Sequence, residues 1–229
     1  MTAKKNVIIV AGGSGKRMKS KLPKQFLPLA GKPVLMRTIE IFYQTLHDEP
    51  FQFLLVLPEA QIEKWKELCH KHQFRIPHQI VKGGPQRFFS VKNALDMIKD
   101  ESLVAIHDGV RPVVSKALIN RCFDMAKRTG NAVPVVAVSE SMRKIEKPHS
   151  IIVNRSEYVL VQTPQVFHSK LIKSAYQIDF DEKFTDDASV VENYGDNINL
   201  VEGSRENIKI TLPSDLRYAE WLISEMRVK

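Results

Sequence analysis

Apolar residues along the chain alternate between short β-branched runs and stretches with helical spacing. The run Val7–Val10 stops at the glycines that begin with Gly12, and Phe51–Leu57 and Leu103–Ile106 are runs of the same kind. Such runs are typical of strands that are buried on both faces of a parallel sheet. Between them apolar residues recur every three or four positions, as in Gln61–His72, which predicts helices.

The same alternation continues along most of the chain and predicts an α/β fold, in which a mostly parallel sheet carries helices on both faces. No linker or repeat interrupts it, so we expect a single domain over residues 1–229. Trp65 and Trp221 fall on apolar helix faces, and we expect both in the core. The further predicted elements are a helix through Leu35 and Leu46, a strand at Ile80–Val81, a helix at Ser90–Ile98, a helix from its N-cap Ser115 to Arg128, a strand at Ala132–Val138, helices at Ser169–Phe180 and Asp187–Tyr194, short strands near Leu200 and at Ile208–Ile210, and a last helix from Ser214.

The segment Ser141–Gln162 departs from this alternation. It holds two apolar runs, Ile151–Val153 and Tyr158–Val161, separated by polar turn residues. Two strands of that kind predict an antiparallel β-arm at about residues 141–162 that projects from the main sheet. Apolar strands without a partner in their own domain are a candidate dimer interface. The alternative is an edge hairpin that packs on its own subunit.

Composition and charge narrow the class of protein. Hydrophobic residues make up 43% of the 229 residues, and no stretch approaches the ~20 apolar residues that span a bilayer, so no membrane association is expected. The two cysteines, Cys69 and Cys122, lack the spacing of a metal site or a disulfide framework, which fits the cytoplasm. The net charge of +8 comes from basic residues spread along the chain, which favours small phosphorylated ligands over nucleic acid.

Three unusual loops follow predicted strands, at Gly12–Arg17, Gly83–Arg87 and His107–Arg111. In an open parallel sheet, ligands bind at the carboxyl ends of the strands. We therefore expect these loops to share one rim of the sheet and to form an active site.

The first of these loops combines glycines with positive charge. Its glycines allow backbone N–H groups to approach a phosphate, while Lys16 and Arg17 supply the charge. It is not a P-loop, because Lys16 is followed by Arg17 rather than by Ser or Thr. It is not a dinucleotide-binding loop either, because Met18 stands where the third glycine belongs.

The first loop is followed by further motifs over about two hundred residues, and together they resemble a known family. The pattern G-G-x-G-x-R-M with a nearby P-K-Q-F is similar to nucleotidyltransferases that activate sugar phosphates. The set is most similar to the 2-C-methyl-D-erythritol 4-phosphate cytidylyltransferase family of the non-mevalonate isoprenoid pathway. The motifs that carry this resemblance after the first loop are Leu22–Leu29, Gly83–Val91, His107–Pro112, Gln162–Gln165, Thr185–Ser189 and Glu202–Lys209.

The resemblance implies a fold and an activity. The fold is a Rossmann-like sheet with a dimerising β-arm, in a cytoplasmic homodimer. The activity is transfer of the cytidylyl group of CTP to 2-C-methyl-D-erythritol 4-phosphate, which gives 4-diphosphocytidyl-2-C-methyl-D-erythritol and pyrophosphate. The expected cofactor is Mg²⁺. Because Mg²⁺ prefers phosphate oxygens and water, we assign it no direct protein ligand, with Asp108 as a candidate for orienting a bound water.

The resemblance also implies residue roles. Arg17 and Lys24 match the pair that contacts the triphosphate and stabilises the transition state, and Arg155 and Lys209 match residues that hold the acceptor's phosphate for in-line attack. The other acceptor-side matches are Arg111, Thr185 and Ser141, where the family usually has Thr. The nucleotide-side residues, including those of the first glycine loop, are Ala11, Gly12, Gly13, Gly15, Lys16, Gly84, Ser90 and Asp108.

Other functions stay open at this point. A relative that activates D-ribitol 5-phosphate would share the nucleotide motifs, and Ala11–Gly13 is compatible with both enzymes. The acceptor-side segments Leu160–Gln165 and Arg143–Ser156 favour methylerythritol phosphate. A basic nucleic-acid-binding protein would show strongly salt-dependent binding to DNA or RNA. A catalytically silent relative would lack the four basic residues assigned to catalysis, and all four are present.

Overall fold

The computed structural model of the chain describes residues 4–13, 18, 20 and 22–228. Strands and helices alternate through most of this part, as the sequence predicts. Short 3₁₀ helices lie at Lys24–Phe26 and Arg155–Glu157. In chain order the strands and α-helices are β1 (Lys5–Val10), β2 (Pro28–Leu29), β3 (Lys32–Pro33), α1 (Val34–Leu46), β4 (Phe51–Leu57), α2 (Glu59–Lys71), β5 (Gln79–Lys82), α3 (Arg87–Leu95), β6 (Leu103–Asp108), α4 (Lys116–Thr129), β7 (Asn131–Ala137), β8 (Arg143–Glu146), β9 (His149–Ile152), β10 (Val159–Val161), β11 (Gln165–His168), α5 (Ser169–Ala175), α6 (Asp187–Tyr194), β12 (Leu200–Glu202) and α7 (Pro213–Val228).

The central sheet has eight strands. Seven follow the order β10-β7-β11-β6-β1-β4-β5, and β12 pairs with β7. Strand β1 lies parallel between β6 and β4, with Ile8 opposite Ile106 on one side and Leu54 on the other. Strand β5 is parallel to β4, whereas β11 is antiparallel to both β6 and β7. The prediction of a mostly parallel sheet is confirmed.

The core has a layer on each face of this sheet because successive side chains of a strand point to opposite faces. In β1, Val7 and Ile9 pack with residues of α1, α2 and α4, among them the fully buried Trp65. Ile8 packs on the other face with residues of α3, α5 and α6. Helices therefore cover both faces, as predicted. No described helix is long and apolar enough to cross a membrane.

Several predicted bounds need correction. Helix α3 begins at Arg87 rather than at Ser90, and α5 ends at Ala175 rather than at Phe180. The expected strand at Ile208–Ile210 is an irregular segment, in which the Ile210 amide donates to the carbonyl of Val110 at 2.9 Å. That segment thus binds the loop after β6 without pairing as a strand.

The projecting antiparallel arm is present, but its two strands are not the predicted ones. Strand β9 pairs with β8, with Arg143 opposite Ile152, while β10 pairs with β7 in the main sheet, with Leu160 opposite Val136. The prediction that the two apolar runs pair with each other was wrong. The 3₁₀ helix Arg155–Glu157 lies between the runs and separates the hairpin from the strand that returns to the sheet.

The prediction that Trp221 lies in the core was also wrong. Helix α7 buries Ala219 and Leu222, whereas Trp221 remains 54% exposed and stacks on Tyr218 with ring centroids 5.8 Å apart. The inward face of the helix is therefore narrower than its apolar composition indicated.

Candidate active site

The loops after β1, β5 and β6 meet at one rim of the sheet and surround a cavity of about 360 Å³. This confirms the shared rim for the described residues; Ser14, Gly15, Lys16 and Arg17 lie outside them. The described residues that line this cavity are Val10, Ala11, Gly12, Gly13, Lys24, Gln25, Gly84, Pro85, Gln86, Arg87, Ser90, Asp108, Val110 and Lys209.

The loop before α3 is shaped by Gly84 and Ser90. The Gly84 amide donates to Ser90 Oγ at 3.0 Å, which ties the loop to the first turn of the helix. A Cβ at position 84 would lie 2.4 Å from Phe89 Cβ, a separation that side chains cannot occupy. Only glycine therefore fits here, and the backbone itself forms this part of the cavity wall.

Lys24 brings a buried cation to the other side of the same cavity. It begins the 3₁₀ helix after Pro23, is 9% exposed, and its ammonium donates to the carbonyl of Ile210 at 2.9 Å. The neighbouring Gln25 donates through Nε2 to the carbonyl of Ala11 at 2.8 Å, which fixes the start of the first loop. The predicted nucleotide-side and triphosphate-side residues that the structure describes thus surround one space.

Asp108, the last residue of β6, holds two cations at the edge of this space. Its Oδ2 atom lies 3.1 Å from Lys209 Nζ and 3.1 Å from Arg111 Nε. Burial alone would raise the pKa of Asp108, but the charges of Lys209, Arg111 and Arg87 outweigh it and hold the pKa below its usual range. The carboxylate is therefore ionised at neutral pH and orients both cations.

A second cavity of about 240 Å³ adjoins the first. It contains the predicted acceptor-side residues Thr185 and Arg111. Three residues, Arg87, Asp108 and Lys209, line both cavities. An anion in one cavity and an anion in the other would therefore meet at a positively charged wall.

Two predicted acceptor-side residues are not brought to these cavities. Arg155 is exposed beside the arm, where its guanidinium donates to the carbonyl of Ser139. Ser141 is also exposed in the segment that leads into the arm. Neither lines the two cavities.

Sequence reasoning missed an ion pair beside the shared wall. The Arg87 guanidinium donates to both carboxylate oxygens of Asp187, at 2.7 and 2.5 Å, and the Tyr176 hydroxyl donates to Asp187 Oδ1 at 2.7 Å. Both charged residues belong to motifs that were noted, but a pairing between positions one hundred apart leaves no local signal.

The sequence indicates His107 only as part of a loop motif, yet its side chain supports the backbone that carries Asp108. Its ring is fully buried, with Nδ1 3.0 Å from Thr163 Oγ1 and Nε2 3.2 Å from the carbonyl of Arg111. Burial lowers the pKa of His107 to about 3, so the imidazole is neutral. Since the Asp108 amide donates to the same Thr163 oxygen at 3.1 Å, the ring fixes the end of β6.

Comparison with known proteins identifies the family to which the chain belongs. The model of the 2-C-methyl-D-erythritol 4-phosphate cytidylyltransferase family matches residues 6–225. The chain belongs to this family. The resemblance that the six later motifs and the first loop carry is thereby confirmed.

Relatives and solved structures agree with this membership in the cytidylyltransferase family. The chain is 52% identical over 219 residues to the 2-C-methyl-D-erythritol 4-phosphate cytidylyltransferase of Phocaeicola vulgatus, covering 96% of this chain and 99% of the relative. It superposes on the crystal structure of 4-diphosphocytidyl-2C-methyl-D-erythritol synthase from Anaerococcus prevotii with a TM-score of 0.80 at 26% sequence identity. The superposition covers 97% of this chain and 96% of that structure. The superposition on the 2-C-methyl-D-erythritol 4-phosphate cytidylyltransferase of Francisella tularensis has a TM-score of 0.76 at 30% sequence identity. It covers 96% of this chain and 100% of that structure.

Proposed function

We propose that this chain transfers the cytidylyl group of CTP to 2-C-methyl-D-erythritol 4-phosphate, releasing pyrophosphate, as a step in isoprenoid precursor synthesis. Membership of the family over residues 6–225 supports this reaction. The structural observation that carries it is the pair of adjoining cavities with a shared wall at Arg87, Asp108 and Lys209. The first cavity takes the nucleotide and the second takes the phosphorylated acceptor.

The reaction joins an oxygen of the acceptor's phosphate to the α-phosphorus of CTP. The bond from the α-phosphorus to the oxygen that bridges to the β-phosphate breaks, and its electron pair leaves with pyrophosphate. The attacking group is already an anion, so the step needs no general base. Negative charge builds on the α-phosphate and on the departing group, and fixed cations stabilise both. Lys24 and Lys209, which both line the nucleotide cavity, supply such charge. Arg17 has the same proposed role from its match to the family motif.

Mg²⁺ bound to the triphosphate is the proposed cofactor and would neutralise part of this charge. The described part of the chain holds no group of three or more metal-ligating side chains, which suits an ion held mainly by phosphate oxygens and water. Among the described residues, Arg111 Nε donates to Asp108 Oδ2, and Lys209 Nζ forms an ion pair with the same oxygen. The Asp108 Oδ1 atom therefore suits contact with a metal-bound water.

The enzyme works as a homodimer in which the partner's arm completes the acceptor site. Supporting this, Ile145 and Ile152 of the hairpin are 69% and 78% exposed, and Leu160 of β10 is 53% exposed. Such a row of exposed apolar side chains marks an interaction surface. Arg155 and Ser141 lie beside it, outside the cavities of their own chain. The unpaired Cys69 and Cys122 support the cytoplasm as the location.

Mixing two inactive variants tests the shared site. In a Lys24→Ala and Arg155→Ala heterodimer, one site combines an intact Lys24 with an intact Arg155 only if Arg155 acts across the interface. Random mixing of subunits should then restore about a quarter of wild-type activity. If Arg155 acts within its own chain, every site carries one defect and mixing restores nothing.

Pyrophosphate release tests the reaction itself. The enzyme is supplied with CTP and Mg²⁺ and with either 2-C-methyl-D-erythritol 4-phosphate or D-ribitol 5-phosphate. We expect rapid release with the first acceptor and little with the second. Release with ribitol phosphate alone would keep the nucleotide chemistry but overturn the acceptor, and release with neither would overturn the proposal.

A further inference from the structure

Arg87 is a cation in the wall that the two cavities share. It is the first residue of α3, and its side chain is 28% exposed. Asp108 and Lys209, which complete the shared wall, were assigned roles from the family motifs. Arg87 was assigned none, although it lines the same two cavities.

The guanidinium is held in a fixed orientation. Its two terminal nitrogens bind the two oxygens of Asp187, a fork-to-fork arrangement that fixes the plane of the group. Asp187 is itself fully buried and also accepts from Tyr176, so the anchor is rigid. Burial lowers the pKa of Arg87, but Asp187 raises it more, and the guanidinium stays charged.

The position of Arg87 does not serve helix stability. A cation in the first turn of a helix interacts unfavourably with the helix dipole. Asp187 is the first residue of α6, so the ion pair joins the starts of two helices. One of these helices follows the loop that contains Gly84, and the other follows Thr185. The pair thereby fixes the nucleotide loop relative to the acceptor loop.

Part of the guanidinium remains available to a ligand. An arginine has five N–H donors, and among the residues that the structure describes Arg87 hydrogen-bonds to Asp187 alone. Since the side chain lines both cavities, the remaining donors have access to the shared wall. This is the arrangement of a preorganised donor for charge that develops during a reaction.

We propose that Arg87, anchored by Asp187, is a further catalytic residue that contacts phosphate oxygens where the two cavities join. The proposal rests on the cytidylyl transfer proposed above. The phosphate is either the α-phosphate of CTP or the phosphate of the acceptor. Both present the same chemistry, a tetrahedral group with charged non-bridging oxygens.

An Arg87→Lys variant tests the contact because lysine keeps the charge and can still neutralise Asp187. Lysine cannot donate in the planar two-pronged geometry. Turnover with saturating substrates should fall about 10- to 100-fold. Arg37→Lys is the control, since the Arg37 guanidinium is likewise held by two hydrogen bonds, in its case to the backbone carbonyls of Leu29 and Ala30, but lines neither cavity. The control should lose thermal stability to a similar degree and keep its turnover.

Asp187→Asn provides a second variant should Arg87→Lys fail to fold. It leaves the arginine and an acceptor for Tyr176 in place but loosens the fork, so turnover should fall again. If a folded variant keeps its turnover and the wild type is active, the role of Arg87 is refuted and the proposed function still stands. An inactive wild type would instead overturn the proposed function.

Replacing CTP with its α-thio analogue shows which of the two phosphates Arg87 contacts. Contact with the α-phosphate predicts that the rate ratio between CTP and the analogue changes about tenfold in Arg87→Lys. Contact with the acceptor predicts an unchanged ratio and a rise of about tenfold in KM for the acceptor. If neither quantity changes, Arg87 does not touch phosphate and the inference is wrong.

Discussion

Removal of the His107 imidazole should make the protein less sensitive to acid. The ring is fully buried between Thr163 and the carbonyl of Arg111, and the Phe42 ring packs against it in a T-shaped arrangement with centroids 4.8 Å apart. Protonation would put a charge in this space and would remove the acceptor that the Thr163 hydroxyl uses. His107→Gln keeps a donor for the Arg111 carbonyl but does not titrate.

The magnitude follows from the pKa difference between the two states. The pKa is about 3 in the folded protein against an ordinary value of 6.5, so between these values only the unfolded chain binds the proton. Stability therefore falls as the pH falls through this window, by about 1.4 kcal/mol per pH unit. From neutral pH to about pH 4.5 the wild type should lose about 2–3 kcal/mol more than His107→Gln.

Urea unfolding at a fixed protein concentration, followed by the fluorescence of the buried Trp65, measures this difference. The variant starts less stable at neutral pH because it loses packing, and the gap between the two curves should narrow as the pH falls. His168→Gln, at an exposed position, serves as the control, and its curve should run parallel to that of the wild type. A gap between wild type and His107→Gln that stays constant with pH would refute the reasoning.

Three further predictions concern the nucleotide loop, the buried lysine and the arm. Gly84→Ala should raise KM for CTP about tenfold, because the new Cβ would lie 2.4 Å from Phe89 Cβ and the loop must move; an unchanged KM in steady-state assays would contradict this. Lys24→Met should lower turnover about 10²- to 10³-fold with an unchanged circular dichroism spectrum, and near-normal turnover would argue against the triphosphate assignment. Ile152→Lys should shift the sedimentation coefficient to that of a monomer, whereas Met97→Lys, 43% exposed away from the arm, should not.

Much of the fold was predictable because the apolar runs have clear ends. Strand β4 and helix α6 occupy the predicted residues, since Pro58 follows the first and Gly195 follows the second. The shared rim of the three loops followed from parallel strands, whose carboxyl ends lie at one edge of the sheet.

What the pattern could not predict is which element a segment contacts. The apolar run at Tyr158–Val161 is equally suited to pair with β9 or with β7, because alternation fixes the face of a strand and not its neighbour. The exposure of Trp221 has a related cause. Helical spacing shows which residues share a face, but α7 buries only the side that carries Ala219 and Leu222.

The candidate site was predicted in its parts and not in its connections. Lys24, Asp108 and Lys209 were assigned from motifs and lie together. The anchoring of Arg87 by Asp187 joins residues one hundred positions apart, and burial decides its strength. Arg155 and Ser141 lie outside the cavities of their own chain, which no motif indicates.

The most direct test of the central claim follows the oxygen atoms of the acceptor. The enzyme is incubated with CTP, Mg²⁺ and 2-C-methyl-D-erythritol 4-phosphate that carries ¹⁸O in its phosphate. The masses of both products are then measured by mass spectrometry. Attack by the acceptor's phosphate on the α-phosphorus predicts that the cytidylyl product keeps every labelled oxygen and that the pyrophosphate carries none. Label in the pyrophosphate, or no cytidylyl product at all, would contradict the account.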